Sequence, residues 1–171
     1  KGSIFKATVS RVESSLDAAF INFGNERHGF LPLKELSSEY FTNGADGKRK
    51  CILKEGDQIL AQVLKEERGT KGAALSNQIS LAGRFIVLIP NSEKSGGVSR
   101  RIAGEERDEI KNALSEIDIP EGMSVIVRTA GLGRTAEELK WDLDYLMNLW
   151  EQIKSSVGDA PSPSLIYKDD K

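Results

Sequence analysis

One cysteine and one histidine in 171 residues leave this chain short of the groups that most side-chain chemistry needs. Cys51 has no partner for an internal disulfide, and with His28 it falls short of the four donors of a structural zinc site. No histidine stands beside a nucleophile, and no Gly-rich loop ends in Gly-Lys-Ser or Gly-Lys-Thr. Nothing here forms a nucleophilic or P-loop constellation. Apolar runs are too short to span a bilayer. An excess of base is missing too: the formal charge of −2 argues against an extended surface for a polyanion. The lone cysteine suits a reducing compartment. Lys1 in place of a starting methionine, with no signal-type segment after it, leads us to expect a piece of a longer polypeptide.

What is present reads as globular. Hydrophobic residues at 39% and charged residues at 29% are enough for one large or two small domains. Residues 1–83 hold 12 Lys and Arg against 10 Asp and Glu, whereas 84–171 hold 12 against 16. Any contact with nucleic acid is therefore expected to be local and partly based on stacking, not on global charge.

The first half has the rhythm of a small β-barrel. Phe5, Ala7 and Val9 alternate with Lys6, Thr8 and Ser10, the period of a half-buried strand. Further strands are expected over Leu16 to Phe23, Arg27 to Leu31, Gln58 to Leu64 and Ala73 to Leu81, with a polar connection from Ser37 to Lys50. Five short strands and one longer connection fit a five-stranded OB-type barrel. Parity places Phe20 on the face of Asn22, opposite Ile21 and Phe23, so Phe20 is expected outside. Phe30 follows on a neighbouring strand and can share that face. With Lys6, Lys65 or Lys71 nearby, such a face would stack bases and hold the strand between them. Alternatively, one or both rings cap the barrel core, and Lys71, in Arg68-Gly-Thr-Lys-Gly-Ala73, is a plain hairpin tip.

The second half is mixed α/β. Arg84 to Ile89 is an apolar run closed by Pro90, with a loop over 91–97. A helix is expected from Glu105 to Ile117, a strand from Met123 to Val127, and a long helix from Ala136 to about Ser155. In that last helix Leu139, Leu143, Leu146, Trp150 and Ile153 form one stripe. Trp141, Tyr145 and Leu149 fall outside it, which suggests a second covered face. The most informative segment is Ser124 to Thr135. An apolar strand there delivers Arg128 and Thr129 to a Gly-rich turn, and a capping box, Thr135-Ala-Glu-Glu138, opens the helix. A guanidinium, a hydroxyl and a helix N-terminus together would make a site for a terminal phosphate. An ordinary turn with a solvated arginine fits the same residues. The acid pairs Glu105-Glu106 and Glu137-Glu138 lie in the first turns of helices, and Asp142 and Asp144, two apart, do not face each other, so no metal pair is expected.

Longer strings carry a resemblance. Ala18-Ala-Phe-Ile-Asn-Phe-Gly24, Glu26-Arg-His-Gly-Phe-Leu-Pro-Leu-Lys-Glu35 and Lys65-Glu-Glu-Arg-Gly-Thr-Lys-Gly-Ala-Ala-Leu75 are similar to the ribosomal-S-one-type RNA-binding domain of the ribonuclease E/G family. The similarity runs on through Ser80-Leu-Ala-Gly-Arg-Phe-Ile-Val-Leu-Ile-Pro90, Gly96-Gly-Val-Ser-Arg-Arg-Ile102 and Pro120-Glu-Gly-Met-Ser-Val-Ile-Val-Arg-Thr-Ala-Gly131. It favours the E branch over the shorter G branch, in which the His-Gly-Phe-Leu-Pro stretch reads differently.

The resemblance implies an α+β chain: an S-one-type OB-fold barrel over 1–83, a small α/β 5′-sensor subdomain over 84–158, and a linker, 159–171, into an RNase H-like subdomain. It implies part of an endoribonuclease that cuts single-stranded RNA in mRNA decay and in rRNA and tRNA processing, preferring a 5′-monophosphate. By motif, Arg128 and Thr129 would contact that phosphate through side chains, Gly83 through its backbone N–H, and Val87 would pack on the first base. Arg100 would support the pocket, and Phe20, Phe30 and Lys71 would contact RNA. Phe23 stands where some relatives have tyrosine. Magnesium and zinc are implied for the whole enzyme, through downstream aspartates and a Cys-x-x-Cys beyond this chain, so the piece itself is expected to bind RNA without cutting it. A homo-tetramer, RNA-degradosome partners and a cytoplasmic location, or a peripheral one at the inner membrane, are implied for the whole protein. The rival reading is a non-catalytic S-one-type module of a translation or ribosome-associated protein. Such proteins repeat the barrel, and this chain has no internal repeat. A small-molecule phosphate enzyme built on the Gly-Leu-Gly turn would lack a base and a nucleophile.

Overall fold

The computed structural model describes residues 1–92 and 97–169. Gly96 and most of the loop expected over 91–97 lie outside them, as do the last two residues. In chain order the strands and helices are β1 (Ile4–Glu13), β2 (Ala18–Asn22), β3 (Gly29–Pro32), β4 (Phe41–Asn43), β5 (Arg49–Cys51), β6 (Gln58–Lys65), β7 (Ala74–Ser76), β8 (Leu81–Ala82), β9 (Ile86–Ile89), β10 (Gly97–Val98), α1 (Gly104–Ser115), β11 (Ser124–Val127), α2 (Ala136–Val157) and β12 (Ser164–Tyr167). They divide into two compact units, one of Lys1–Ile79 with Ser155–Lys171 and one of Ser80–Lys154.

The first unit is the barrel. Its strand order is β12-β1-β2-β3-β7-β6, and β6 pairs back to β1, which closes the five strands β1, β2, β3, β7 and β6. Closure is possible because the interior is filled by a mixture of small and branched residues: Ala7, Ala19 and Ala61 are fully buried beside Ile21, Leu31 and Leu75. β1 is long enough to meet three neighbours, and its register against β2 shifts between Val9 and Arg11. That irregularity sets Arg11 opposite Phe20, a pairing that strict alternation does not give.

Three features differ from the sequence reading. The stretch Ser37 to Lys50, expected as connection, contains the β4–β5 hairpin, closed at Gly47 with φ +78 and pinned by the Arg49 guanidinium 3.9 Å over the Phe41 ring. Its inner positions are few, so polarity masked it. The strand expected over Ala73 to Leu81 ends at Ser76, because Asn77 turns its side chain back: Nδ2 donates to Leu60 O at 2.8 Å and Oδ1 accepts the Ser37 N–H at 2.8 Å. Leu81 instead opens the second sheet. In the segment expected as a linker, residues 159–169 bring β12 back onto β1, with Phe5 opposite Leu165 and Lys6 opposite Ser164.

In the second unit the sheet order is β10-β11-β9-β8. β9 and β11 are antiparallel, with Val127 opposite Ile86 and Ile126 opposite Val87. The expected stripe of α2 is buried at all five positions, Leu139, Leu143, Leu146, Trp150 and Ile153. Leu139 and Leu143 line one seam with Ile86 and Val125 of the sheet and with Leu114 and Ile117. Trp141 and Tyr145, outside the stripe, are exposed.

Candidate phosphate and nucleic-acid interface

Arg128 leaves the end of β11 exposed, and its guanidinium is already oriented: Nη1 donates to the Gly83 carbonyl at 2.7 Å. Its backbone N–H donates to Phe85 O at 2.8 Å. The arginine is therefore tied at both ends to the β8–β9 turn, while its remaining guanidinium N–H groups are left for another acceptor. Thr129 follows at once, also exposed, at the start of the single 3₁₀ turn Thr129–Gly131. That turn packs closely on its neighbours. A Cβ on the buried Gly131 would come within 2.7 Å of Val127 Cγ1 and 3.0 Å of Phe85 O, so only glycine lets the chain turn here against β9.

Two expectations about this corner need correction. The Gly83 N–H is engaged, donating to Ile86 O at 2.8 Å where the hairpin closes, and what Gly83 offers is its carbonyl, aimed at Arg128. At the helix start, only part of the donors is taken up within the fold. In the capping box, Thr135 N–H donates to Glu138 Oε1 at 3.2 Å and Glu138 N–H to Thr135 Oγ1 at 3.1 Å, so the box satisfies its own groups and sets a carboxylate at the positive end of α2. The Thr135 N–H first, and then Arg134 at 3.3 Å, hold the Glu138 carboxyl below its usual value of 4.5. A carboxyl with a lowered native pKa contributes stability that is present above the unfolded value and lost as pH falls through the native one. Acidification from pH 5 is accordingly expected to narrow the stability gap between wild type and Glu138→Gln, read by denaturant unfolding. A gap independent of pH would remove the charged cap from the account.

The remaining residues of the expected pocket surround this corner. Val87, half-buried on β9, lies opposite Ala82 and Ile126. Arg100 is exposed in the turn after β10, which runs parallel to β11; Ser99 N–H donates to Val127 O at 2.8 Å, so this turn adjoins the Arg128 backbone. Arg107 Nη1 clasps the same turn through Ser99 O and Ile102 O, both at 3.2 Å. Two contributors were not foreseen. The Phe85 ring is flanked by the guanidinium carbons of Arg134 at 4.9 Å and Arg84 at 5.9 Å. Asp142 accepts three consecutive backbone N–H groups, from Arg84 at 3.1 Å, Phe85 at 2.8 Å and Ile86 at 2.9 Å. Its sequence neighbours give no sign of that role, since the partners lie more than 55 positions away.

On the barrel, Phe20 and Phe30 face each other across β2 and β3, with ring centroids 5.8 Å apart at 74°. Phe30 is exposed, Phe20 half-buried, and Arg11 adds a guanidinium 4.7 Å from the Phe20 centroid. Arg68 and Lys71 exchange backbone hydrogen bonds around a tight tip, so Lys71 is exposed on a hairpin that Arg27 braces through Gly69 O at 2.5 Å. Gly72 carries that hairpin against the His28 carbonyl, where a Cβ would overlap the oxygen. Lys65 is exposed on β6. Lys6 does not belong to this face. It is buried, and Nζ donates to the carbonyls of Val157 and Ala160, both at 2.8 Å, because its strand position faces the returning C-terminal segment. A cleft of about 410 Å³ elsewhere on the barrel is lined by Phe5 and Phe23 with Lys1, Glu66 and Glu67, and the Lys1 N-terminus already pairs with Glu66 at 3.4 Å. Burial, with Glu39 and Asp57, pushes the Tyr40 phenol up to about 12, so that ring is a neutral packing group. Among the described residues no group of three His, Cys, Asp or Glu is placed to hold a metal, and no helix is long and apolar enough to cross a membrane.

Comparison with known proteins finds two family models on this chain. Residues 1–77 match the model of the S1 RNA binding domain, and residues 80–171, more than half of the chain, match that of the Ribonuclease E/G family. The chain belongs to the ribonuclease E/G family. It is 50% identical over 173 residues to Ribonuclease E of Escherichia coli, covering 99% of this chain and 16% of that protein. With Ribonuclease E of Haemophilus influenzae it shares 52% over 174 residues, covering 99% and 18%. Ribonuclease G of Haemophilus influenzae is 34% identical over 173 residues, covering 97% of this chain and 35% of that protein. The chain thus spans under a fifth of the length of these Ribonuclease E relatives. A closed S1-type barrel joined to a family-specific α/β unit does not favour a repeated, purely ribosomal module.

Proposed function

We propose that this chain is the RNA-binding and 5′-monophosphate-sensing part of an endoribonuclease that cleaves single-stranded RNA in mRNA decay and in rRNA and tRNA processing. The barrel unit that begins with residues 1–79 serves in RNA binding, and the unit of residues 80–154, in place of the expected 84–158, serves as the sensor. The observation that carries the reading is the pre-oriented Arg128, held by the Gly83 carbonyl at 2.7 Å with Thr129 exposed beside it. A 5′-monophosphate carries about −1.5 to −2 charges and three strong acceptor oxygens. The free edge of the Arg128 fork donates to two of them, the Thr129 hydroxyl to a third, and Arg100 adds charge to the pocket. Val87 offers an apolar surface to the first base. Phe20 and Phe30 stack bases further along the strand, and Lys71 pairs with the backbone.

Magnesium and zinc, implied for the whole enzyme, do not fit the donors among the described residues: the single cysteine and histidine cannot complete a zinc set, no acidic cluster is placed to hold magnesium, and the Asp142 carboxylate is occupied by three amides. Hydrolysis is therefore assigned to parts of the protein outside this chain, as are the contacts of a homo-tetramer and of degradosome partners. The setting is the cytoplasm or the inner face of the cell membrane. Two assays test this. The purified chain with magnesium is expected to bind single-stranded RNA without cutting it, and the whole protein is expected to cut 5′-monophosphorylated RNA faster than the 5′-hydroxyl strand of the same sequence. Hydrolysis by the chain alone would refute the assignment of catalysis elsewhere, and equal rates on the two strands would refute the sensing.

A further inference from the structure

Within the sensing reading, we infer that Asp142 is a positioning residue for Arg128, and that selectivity for a phosphorylated end depends on it. The geometry forms a chain of contacts. Asp142, on the second turn of α2, closes its two oxygens on the N–H groups of Arg84, Phe85 and Ile86 at 2.8–3.1 Å. Arg84 and Phe85 lie in the turn between β8 and β9, and Ile86 opens β9. The same turn supplies both groups that hold Arg128: Phe85 O takes its backbone N–H and Gly83 O takes Nη1. Gly83 is itself fixed between Ile86 O and the carboxylate, for a Cβ on it would fall 2.5 Å from either Asp142 oxygen.

A carboxylate suits this place for two reasons. Three convergent N–H groups make a concave anion site, and an internal anion that fills it keeps a ligand phosphate from settling there instead of on Arg128. Sharing among three amides also leaves Asp142 without a hydrogen bond or ion pair to the guanidinium, so Arg128 is aimed by a neutral carbonyl and keeps its charge for the ligand. Asparagine would accept from two of the N–H groups and turn its own NH₂ toward the third. Alanine would release all three.

The test measures, in the whole protein, the ratio of cleavage rates on 5′-monophosphorylated and 5′-hydroxyl single-stranded RNA. Asp142→Ala is expected to cut the ratio by roughly tenfold, as small misplacements of binding groups do, with Asp142→Asn intermediate and hydroxyl-ended cleavage within about twofold of wild type. Should the alanine variant fail to fold, the asparagine variant decides alone. Asp144→Ala, exposed two residues on, is expected to leave the ratio unchanged. Unchanged selectivity in Asp142→Asn and Asp142→Ala, or an equal loss on both substrates, overturns the proposal and leaves Asp142 a structural staple. Arg128→Ala in the same assay separates the two levels. If it abolishes the preference while the Asp142 variants keep it, only the positioning role falls; if Arg128→Ala also keeps it, the sensing reading falls and takes this inference with it.

Discussion

Arg128→Ala in the whole protein is expected to lower cleavage of 5′-monophosphorylated RNA toward the rate on hydroxyl-ended RNA, erasing roughly 1.5–3 kcal/mol of preference, or about 10- to 150-fold. The size follows from the kind of bond lost. Hydrogen bonds between a guanidinium and a phosphate dianion are charge-assisted on both sides and about twice as strong as neutral ones. The loss is expected to be confined to the phosphorylated substrate, because the Arg128 backbone N–H still reaches Phe85 O in the variant and holds the end of β11 in place. Arg128→Lys is expected to recover part of the preference: an ammonium restores charge but cannot donate sideways to Gly83 and forward to two phosphate oxygens as a planar fork does. Initial rates on the two substrates check this. Equal slowing on both would show that Arg128 supports the fold and does not read the RNA end.

Lys6→Met is expected to destabilise the first unit by about 3 kcal/mol, since it removes a charged donor from two carbonyls while keeping the length of the side chain. The bonds at stake are those to Val157 O and Ala160 O, both 2.8 Å, made by a residue only 9% exposed. The carbonyls lie where α2 ends, and a cation there also opposes the negative end of the helix dipole. Beyond them the chain returns as β12 to cover β1, with Thr8 Oγ1 and Ser162 Oγ 2.6 Å apart. Loss of the ammonium is therefore expected to be felt first as faster amide exchange over Ser164–Tyr167, and then as a lower denaturant midpoint. A free energy of unfolding within about 0.5 kcal/mol of wild type would mean that water replaces the lysine at no cost.

These two lysine and arginine residues mark how far the sequence could be read. Strands declared by alternation and the α2 stripe were legible because burial there follows the periods of 2 and 3.6. Phe20 and Phe30 were legible as a shared outer face for the same reason, and the segment around Arg128 stood out by its strand, Gly-rich turn and capping box. Lys6 was misread because parity tells which face a residue occupies, not what later segment covers that face. The β4–β5 hairpin escaped notice because only Phe41 and Cys51 of this short ribbon pack on the core, too few for an apolar pattern. Arg11 was hidden by a register shift, and Asp142 by distance along the chain. Which atom of Gly83 faces Arg128 was not legible, for the choice between its N–H and its carbonyl depends on how the hairpin closes.

The claim that Arg128 and Thr129 together grip a terminal phosphate is tested most directly by side-chain nitrogen NMR during titration with two short RNA strands of one sequence, one 5′-phosphorylated and one 5′-hydroxyl. The Arg128 Nε–H signal and the Thr129 amide are expected to shift and saturate with the phosphorylated strand at concentrations at least about tenfold lower than with the other. Identical titrations, or shifts confined to Phe20, Phe30 and Lys71 with either strand, would contradict the account.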